Sequence, residues 1–265
     1  MLRPTLCAAL ALAACGAHAD DGLSLSVGAD FSSGEYGSDT TTDIFSLPFT
    51  AKVTRGDWTF KASLPWLRID GDPNVLPGVG AVANSNPKGR GRGNGGSAPP
   101  PDAPESGSAS GIGDLRLSAT YAFDTGGPLG VDLTANVKLA TADEDKGLGT
   151  GATDYGLALD LYRDFNGTTV FGGVAYTVLG DSDFIDVDSV AGANLGASRK
   201  LGAGSLGLSY EWRQAASDGF DDRSELMAFY SARTSNDHRW QVYALAGLSD
   251  GSPDVGVGFS YTIAY

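Results

Sequence analysis

Histidine is the side chain best suited to acid–base chemistry near neutral pH, and it occurs twice, at His18 and His238. His238 stands in a short polar stretch, Thr234 to His238, with no obvious nucleophile arranged beside it and no third group to orient it. A solvated turn histidine is expected there, with no catalytic residues and no enzyme activity. The acidic runs Asp143-Glu144-Asp145, Asp181-Ser182-Asp183 and Asp186-Val187-Asp188 offer oxygens to a divalent cation. None has the spacing of an EF-hand or of a glycine-rich calcium repeat, so they read as solvated loops, with no metal and no cofactor. What remains is a set of charges that alternate with apolar residues. The cations are Lys52, Lys61, Arg116, Lys138 and Arg213; the anions are Asp114, Asp132, Asp160 and Glu211, joined by Asp30 and Glu225. On one wall of a channel they would impose a transverse field that screens polar or charged solutes. They would equally form a salt-bridge lattice, with Arg116 and Asp132 on adjacent strands as one pair. A near balance of signs gives no strong ion selectivity and favours the lattice.

Charges spaced by two need strands to carry them. The pattern starts at Leu23, Leu25, Val27, Ala29 and Phe31, which alternate with Ser24, Ser26, Gly28 and Asp30. It recurs with Phe45 to Val53 and Trp58 to Trp66, though Pro48 and Pro65 each delete a ladder donor and belong near a rim or bulge. From Asp114 it runs on through segments near 115–123, 131–139, 155–161, 170–178, 206–212, 226–233 and 240–248. The segment from Val190 to Lys200 has no clear parity. The last eleven residues alternate most strictly, with Val255, Val257, Phe259, Tyr261, Ile263 and Tyr265 on one face and Gly256, Gly258, Ser260, Thr262 and Ala264 on the other. That is about twelve strands. Ten residues at ~3.3 Å rise, tilted by ~40°, reach about 25 Å, the height of a membrane apolar band. Connections after odd strands are long and acidic; those after even strands are mostly short. The expected fold is all-β: a transmembrane up-and-down antiparallel β-barrel of about twelve strands. A soluble barrel would hide its apolar face, whereas here that face carries Trp, Tyr and Phe near strand ends and the other is Gly, Ser, Thr and charge, a poor core.

With 38 glycines, 19% charged residues and a net charge of −14, the composition suits a turn-rich β protein and excludes a nucleic-acid partner, which needs a basic footprint. No apolar run after the first twenty residues is long enough for a spanning helix, ~18–20 residues. Residues 1–19 read as a signal peptide: Arg3, an apolar core from Leu6 to Ala14, and Ala17-His18-Ala19 before the cleavage site. Leu12-Ala13-Ala14-Cys15 also resembles a lipoprotein box, so cleavage after Ala19 and lipidation at Cys15 both stand open. Cys7 and Cys15 are the two cysteines, so cleavage after Ala19 would leave no thiol. The barrel then occupies 20–265. Residues 68–112, with Gly-Arg-Gly-Arg-Gly and Ser-Ala-Pro-Pro-Pro, read as a long low-complexity external loop too poor in apolar surface to order itself.

The terminal strand resembles that of bacterial outer-membrane barrels, in which the final aromatic is part of the signal read by the barrel-assembly machinery; Tyr261, Ile263 and Tyr265 would carry it. Four patches sharpen the resemblance: Ser110-Gly-Ile-Gly-Asp-Leu-Arg116, Val137-Lys-Leu-Ala-Thr-Ala142, Leu148-Gly-Thr-Gly-Ala-Thr-Asp-Tyr155 and Gly247-Leu-Ser-Asp-Gly-Ser-Pro-Asp254. They resemble the outer-membrane protein family of the phenol meta-degradation pathway. The family often has proline where Ala140 stands, and the insert near 80–107 is private to this sequence. The resemblance implies an outer-membrane location and passive passage of small hydrophobic or aromatic molecules. Its implied partners are membrane lipid, lipopolysaccharide, the assembly machinery and the solute. The alternative is a closed structural or surface-interaction barrel without transport.

Overall fold

Alternation becomes strand wherever it occurs. The computed structural model describes residues 21–91, 106–234 and 238–265. The proposed signal and lipidation residues lie outside these. In chain order the strands are β1 (Gly22–Gly34), β2 (Thr42–Arg55), β3 (Trp58–Gly71), β4 (Val75–Leu76), β5 (Gly80–Ala81), β6 (Ala83–Asn84), β7 (Gly107–Ile112), β8 (Leu115–Phe123) and β9 (Leu129–Leu139). They continue as β10 (Asp154–Phe165), β11 (Thr168–Val178), β12 (Ile185–Asp186), β13 (Val190–Leu201), β14 (Gly204–Arg213), β15 (Arg223–Arg233), β16 (Arg239–Gly247) and β17 (Val255–Ala264). The long ones form an antiparallel wall of neighbours, and β1 pairs with β2 on one side and β17 on the other, which closes it. Both β7 and β8 pair with β3, so they are two halves of one wall strand, interrupted at Gly113–Asp114. Closure leaves no open edge, the condition for crossing lipid with strands.

Side-chain parity separates the faces. Outward positions hold exposed apolar residues such as Leu25, Phe49, Leu157, Val174, Leu195 and Phe259. Rings gather at the short-turn end. Trp58 packs against Tyr121 at 4.9 Å, Tyr121 against Phe123 at 4.9 Å and Tyr230 against Trp240 at 5.3 Å. Such a girdle suits a membrane interface.

Four inward rings explain many of the glycines. Tyr162 stands opposite Gly130, Phe171 opposite Gly196, Phe229 opposite Gly207 and Tyr243 opposite Gly258. A Cβ on Gly207 would meet the Phe229 ring at 1.9 Å, and one on Gly258 the Tyr243 ring at 2.1 Å. Each ring therefore lies against the wall where its neighbour has no side chain, and the lumen keeps its width. Met227, Phe229, Tyr243 and Leu245 form a buried cluster on this face, so the lumen side is more apolar than a Gly/Ser/Thr lining.

Three readings are corrected. First, 68–112 is not one unordered loop. β3 continues to Gly71, β7 begins at Gly107, and residues 72–91 pack with Val75, Leu76 and Val82 almost completely buried. The arginine- and proline-rich composition that argued for disorder belongs largely to 92–105, outside the described residues; the preceding Val-Leu-Pro-Gly-Val-Gly-Ala-Val is apolar enough to pack. Secondly, Pro48 and Pro65 are register partners in mid-strand, away from the rim, and only the bulge half of the expectation holds, at Pro65. Pro65 lies beside the Gly113 break, whose N–H donates to the Pro65 carbonyl at 2.9 Å, and Pro48 packs over Gly28. Thirdly, β13 has a definite parity, with Val190, Gly192, Asn194, Gly196 and Ser198 inward. Small residues on both faces hid it.

Candidate functional site: a capped lumen

Residues 72–91 follow β3 at the end of the barrel that carries the long loops, and they cross its mouth. Val75 and Ala81 pack on Ile44, Leu67, Ile69, Leu148 and Tyr36 at one side. Leu76, Val79 and Val82 pack on Leu179, Ile185, Val190 and Ala216 at the other. β4 pairs with β5, and β6 pairs with β12 of the loop between β11 and β13. Gly78 and Gly80 have φ of +101° and +98°, a backbone region that excludes most side chains and lets the tip double back.

Polar ties hold this cap. The Arg90 guanidinium donates to the carbonyls of Val75 at 3.0 Å and Gly147 at 3.2 Å, and to that of Asp72. Burial pushes Arg90 down to about 10, against the pull of Asp72 and Asp70, so it stays charged at neutral pH. Arg213 donates to the Gly78 carbonyl at 2.6 Å. Lys88 pairs with Asp145 at 3.1 Å on the outer surface, which with the Asn86 hydrogen bond holds that carboxyl below its ordinary range.

Beneath the cap is a cavity of about 210 Å³. Gly78 and Val79 line its roof, Tyr162, Phe171 and Leu179 its walls, and Lys61, Arg116, Arg213, Asp160 and Glu211 supply charge. That volume holds a small ring or a few waters; a packed core would leave none of it.

The charged residues named from sequence divide into three groups. Lys138, buried, pairs with Asp154 at 2.9 Å and Asp114 at 3.3 Å and donates to Thr150 Oγ1 at 2.8 Å. Asp114 also accepts from the N–H groups of Thr141 and Ala142, and Asp154 from that of Gly180. This is the expected lattice, at the long-loop end. Asp132, Asp160, Asn194 and Glu211 follow one another across the wall, ending on Glu225, which Arg223 binds. Tyr162 donates to Asp132. The third group is basic: Lys52 and Lys61 are register partners, while Arg116 faces Ser63 and Lys138. Arg116 and Asp132 are not partners; β8 meets β9 with Ala122 opposite Asp132.

Sequence reasoning missed Asp154, Arg90, Arg223 and the four inward rings. Asp154 closes the polar stretch from Thr141 and, by composition, reads as loop. The rings were visible only through their glycine partners, which need the register. Three of the four sharp motifs converge on the Lys138 cluster: they supply Asp114, Lys138, and Thr150 with Asp154. The fourth folds the last long loop, where Ser252 Oγ donates to the Ser224 carbonyl at 3.0 Å. His238, expected to be solvated, is half-buried, with Nδ1 bonded to the Tyr261 hydroxyl. Tyr261 and Ile263 face outward on β17, and Tyr265, just past its end, is exposed. Among the described residues no cluster of His, Cys, Asp or Glu is arranged to hold a metal.

A closed twelve-strand wall with an apolar exterior, short turns at one end and long loops at the other defines a transmembrane barrel of the outer membrane. The chain belongs to the family described as the MetA-pathway of phenol degradation, which it matches over residues 16–263. No curated protein matches it. Among solved structures it is similar to an outer membrane channel from Pseudomonas putida F1, with a TM-score of 0.67, 14% identity, and coverage of 97% of this chain and 100% of that one. The β domain of the Bordetella autotransporter BrkA gives 0.54 at 14% identity, over 93% of this chain and 100% of that one. The translocator domain of NalP from Neisseria meningitidis gives 0.52 at 14%, over 94% and 89%. At these identities the likeness is one of fold.

Proposed function

We propose that this protein is an outer-membrane channel for passive passage of small molecules, closed from outside by residues 72–91. The observation that carries this reading is the unfilled cavity directly beneath a folded-in cap. A barrel with a purely structural role has no use for a hollow lumen. Membership of a phenol-degradation family and the apolar, partly aromatic cavity wall support a hydrophobic or aromatic solute. Tyr261, Ile263 and Tyr265 suit recognition by the assembly machinery, and the acidic long loops suit contact with lipopolysaccharide through divalent cations. Cleavage after Ala19 would release the barrel into the periplasm for assembly.

The test is single-channel conductance of residues 20–265 in a planar bilayer, beside a variant with residues 73–86 replaced by a Gly-Ser linker. Steady conductance that rises on replacement is the expected result. Silence of both, with folding verified by heat-modifiable gel migration, would overturn the reading. It would leave the closed structural barrel, for which the Lys138 lattice is the supporting feature.

A further inference from the structure

Cations inside a barrel normally find carboxylates. In the short-turn half several do not. Lys52 and Arg239 face the lumen by parity, as does Arg233 at the end of its strand. Arg233 and Arg239 are register partners, and Lys52 lies close enough to both to be repelled by them. Their same-face neighbours in register are Ser24, Thr262 and Lys61, none of them acidic. Arg116 stands further up, on the cavity wall. Asp114 lies two residues before it and Asp154 is a register partner of the facing Lys138, and the oxygens of both are already engaged by Lys138 and by backbone N–H groups. Among the described residues, Lys52, Arg116, Arg233 and Arg239 have no carboxylate oxygen within 4 Å and donate no hydrogen bond.

Like charges set opposite one another destabilise a sheet, so such a cluster costs stability unless something negative visits it. Asp132, Asp160, Glu211 and Glu225 run across the wall in a row that reaches the cavity at Asp160 and Glu211, where Lys61 and Arg213 also line it. The cavity that holds Arg116 also presents Tyr162, Phe171, Leu179 and Val79. A guanidinium beside aromatic and aliphatic surface recognises a flat or chain-like apolar body that carries a carboxylate.

We propose that the lumen binds organic carboxylates with an apolar body, Arg116 holding the anion under the cap and Lys52, Arg239 and Arg233 receiving it at the short-turn mouth. This rests on the channel reading and names its solute class.

Benzoate and benzyl alcohol share a ring and differ in charge, which makes them the probes. Their binding to the detergent-solubilised mature protein is measured by equilibrium dialysis at low and high salt. Benzoate should bind about tenfold more tightly than benzyl alcohol, one charge-assisted hydrogen bond in size, and the preference should shrink in salt. Arg116→Gln should abolish it, Lys52→Gln with Arg239→Gln should weaken it, and Arg239→Lys should retain it, each on protein with wild-type heat-modifiable migration. Equal binding of the two probes, or an unchanged preference in Arg116→Gln, overturns the inference even if the barrel conducts. Selective benzoate binding by a protein that never conducts sustains it and removes the channel reading alone.

Discussion

The two ends of the lumen solve opposite problems. At the long-loop end Lys138, Arg223, Arg213 and Arg90 are each satisfied by a carboxylate or a peptide carbonyl, and Leu76, Val82, Ile69 and Leu148 fill the space between. At the short-turn end Lys52, Arg233 and Arg239 face a lumen of serine and threonine and repel one another. A barrel built only for strength would pair both ends alike. The difference fits the proposed roles: closure by the cap at one end, with solute contact beneath it and at the other.

Breaking the closed end at its ion cluster should have the largest effect. Lys138→Met leaves Asp114 and Asp154 buried and facing each other, so unfolding in urea should show a loss of about 3–5 kcal/mol. Leu76→Ala removes a completely buried side chain from the cap. It should destabilise the cap by about 2–5 kcal/mol and open residues 72–91 to limited proteolysis, while heat-modifiable migration of the wall stays unchanged. Gly207→Ala sets a methyl into the Phe229 ring and should cost about 1–3 kcal/mol; Phe229→Ala in the same chain should cancel the clash, which a double-mutant cycle measures. Lys88→Gln breaks the exposed pair with Asp145 and should leave the melting temperature unchanged. If Lys88→Gln proved as damaging as Lys138→Met, the contrast between buried lattice and solvated surface would fail.

Much of this was legible in the residues. A period of two gives strands, and the long–short rhythm of connections gives the barrel, because neither depends on distant contacts. The inward parity of Lys52, Lys61, Arg116 and Lys138 followed from the same count. Partners did not follow, since pairing depends on register: Asp132 meets Asp160 and Ala122 instead of Arg116. The cap was hidden because residues 72–91 bury their apolar side chains against several separate parts of the wall and its loops, contacts that no local composition reports. The glycine–ring pairs were hidden for the same reason. Gly130 and Tyr162 are unremarkable until β9 and β10 are aligned.

The claim that the cap governs passage is tested most directly by tethering it. Ala83 and Asp186 are partners in the two-residue ladder between cap and loop, a spacing that suits a disulfide, and the chain has no cysteine beyond Cys7 and Cys15. Conductance of the Ala83→Cys, Asp186→Cys protein, lacking residues 1–19, is recorded before and after reduction. Silence when oxidised, with wild-type conductance restored by reductant, is the predicted result. Equal conductance in both states would show that solutes pass without moving the cap.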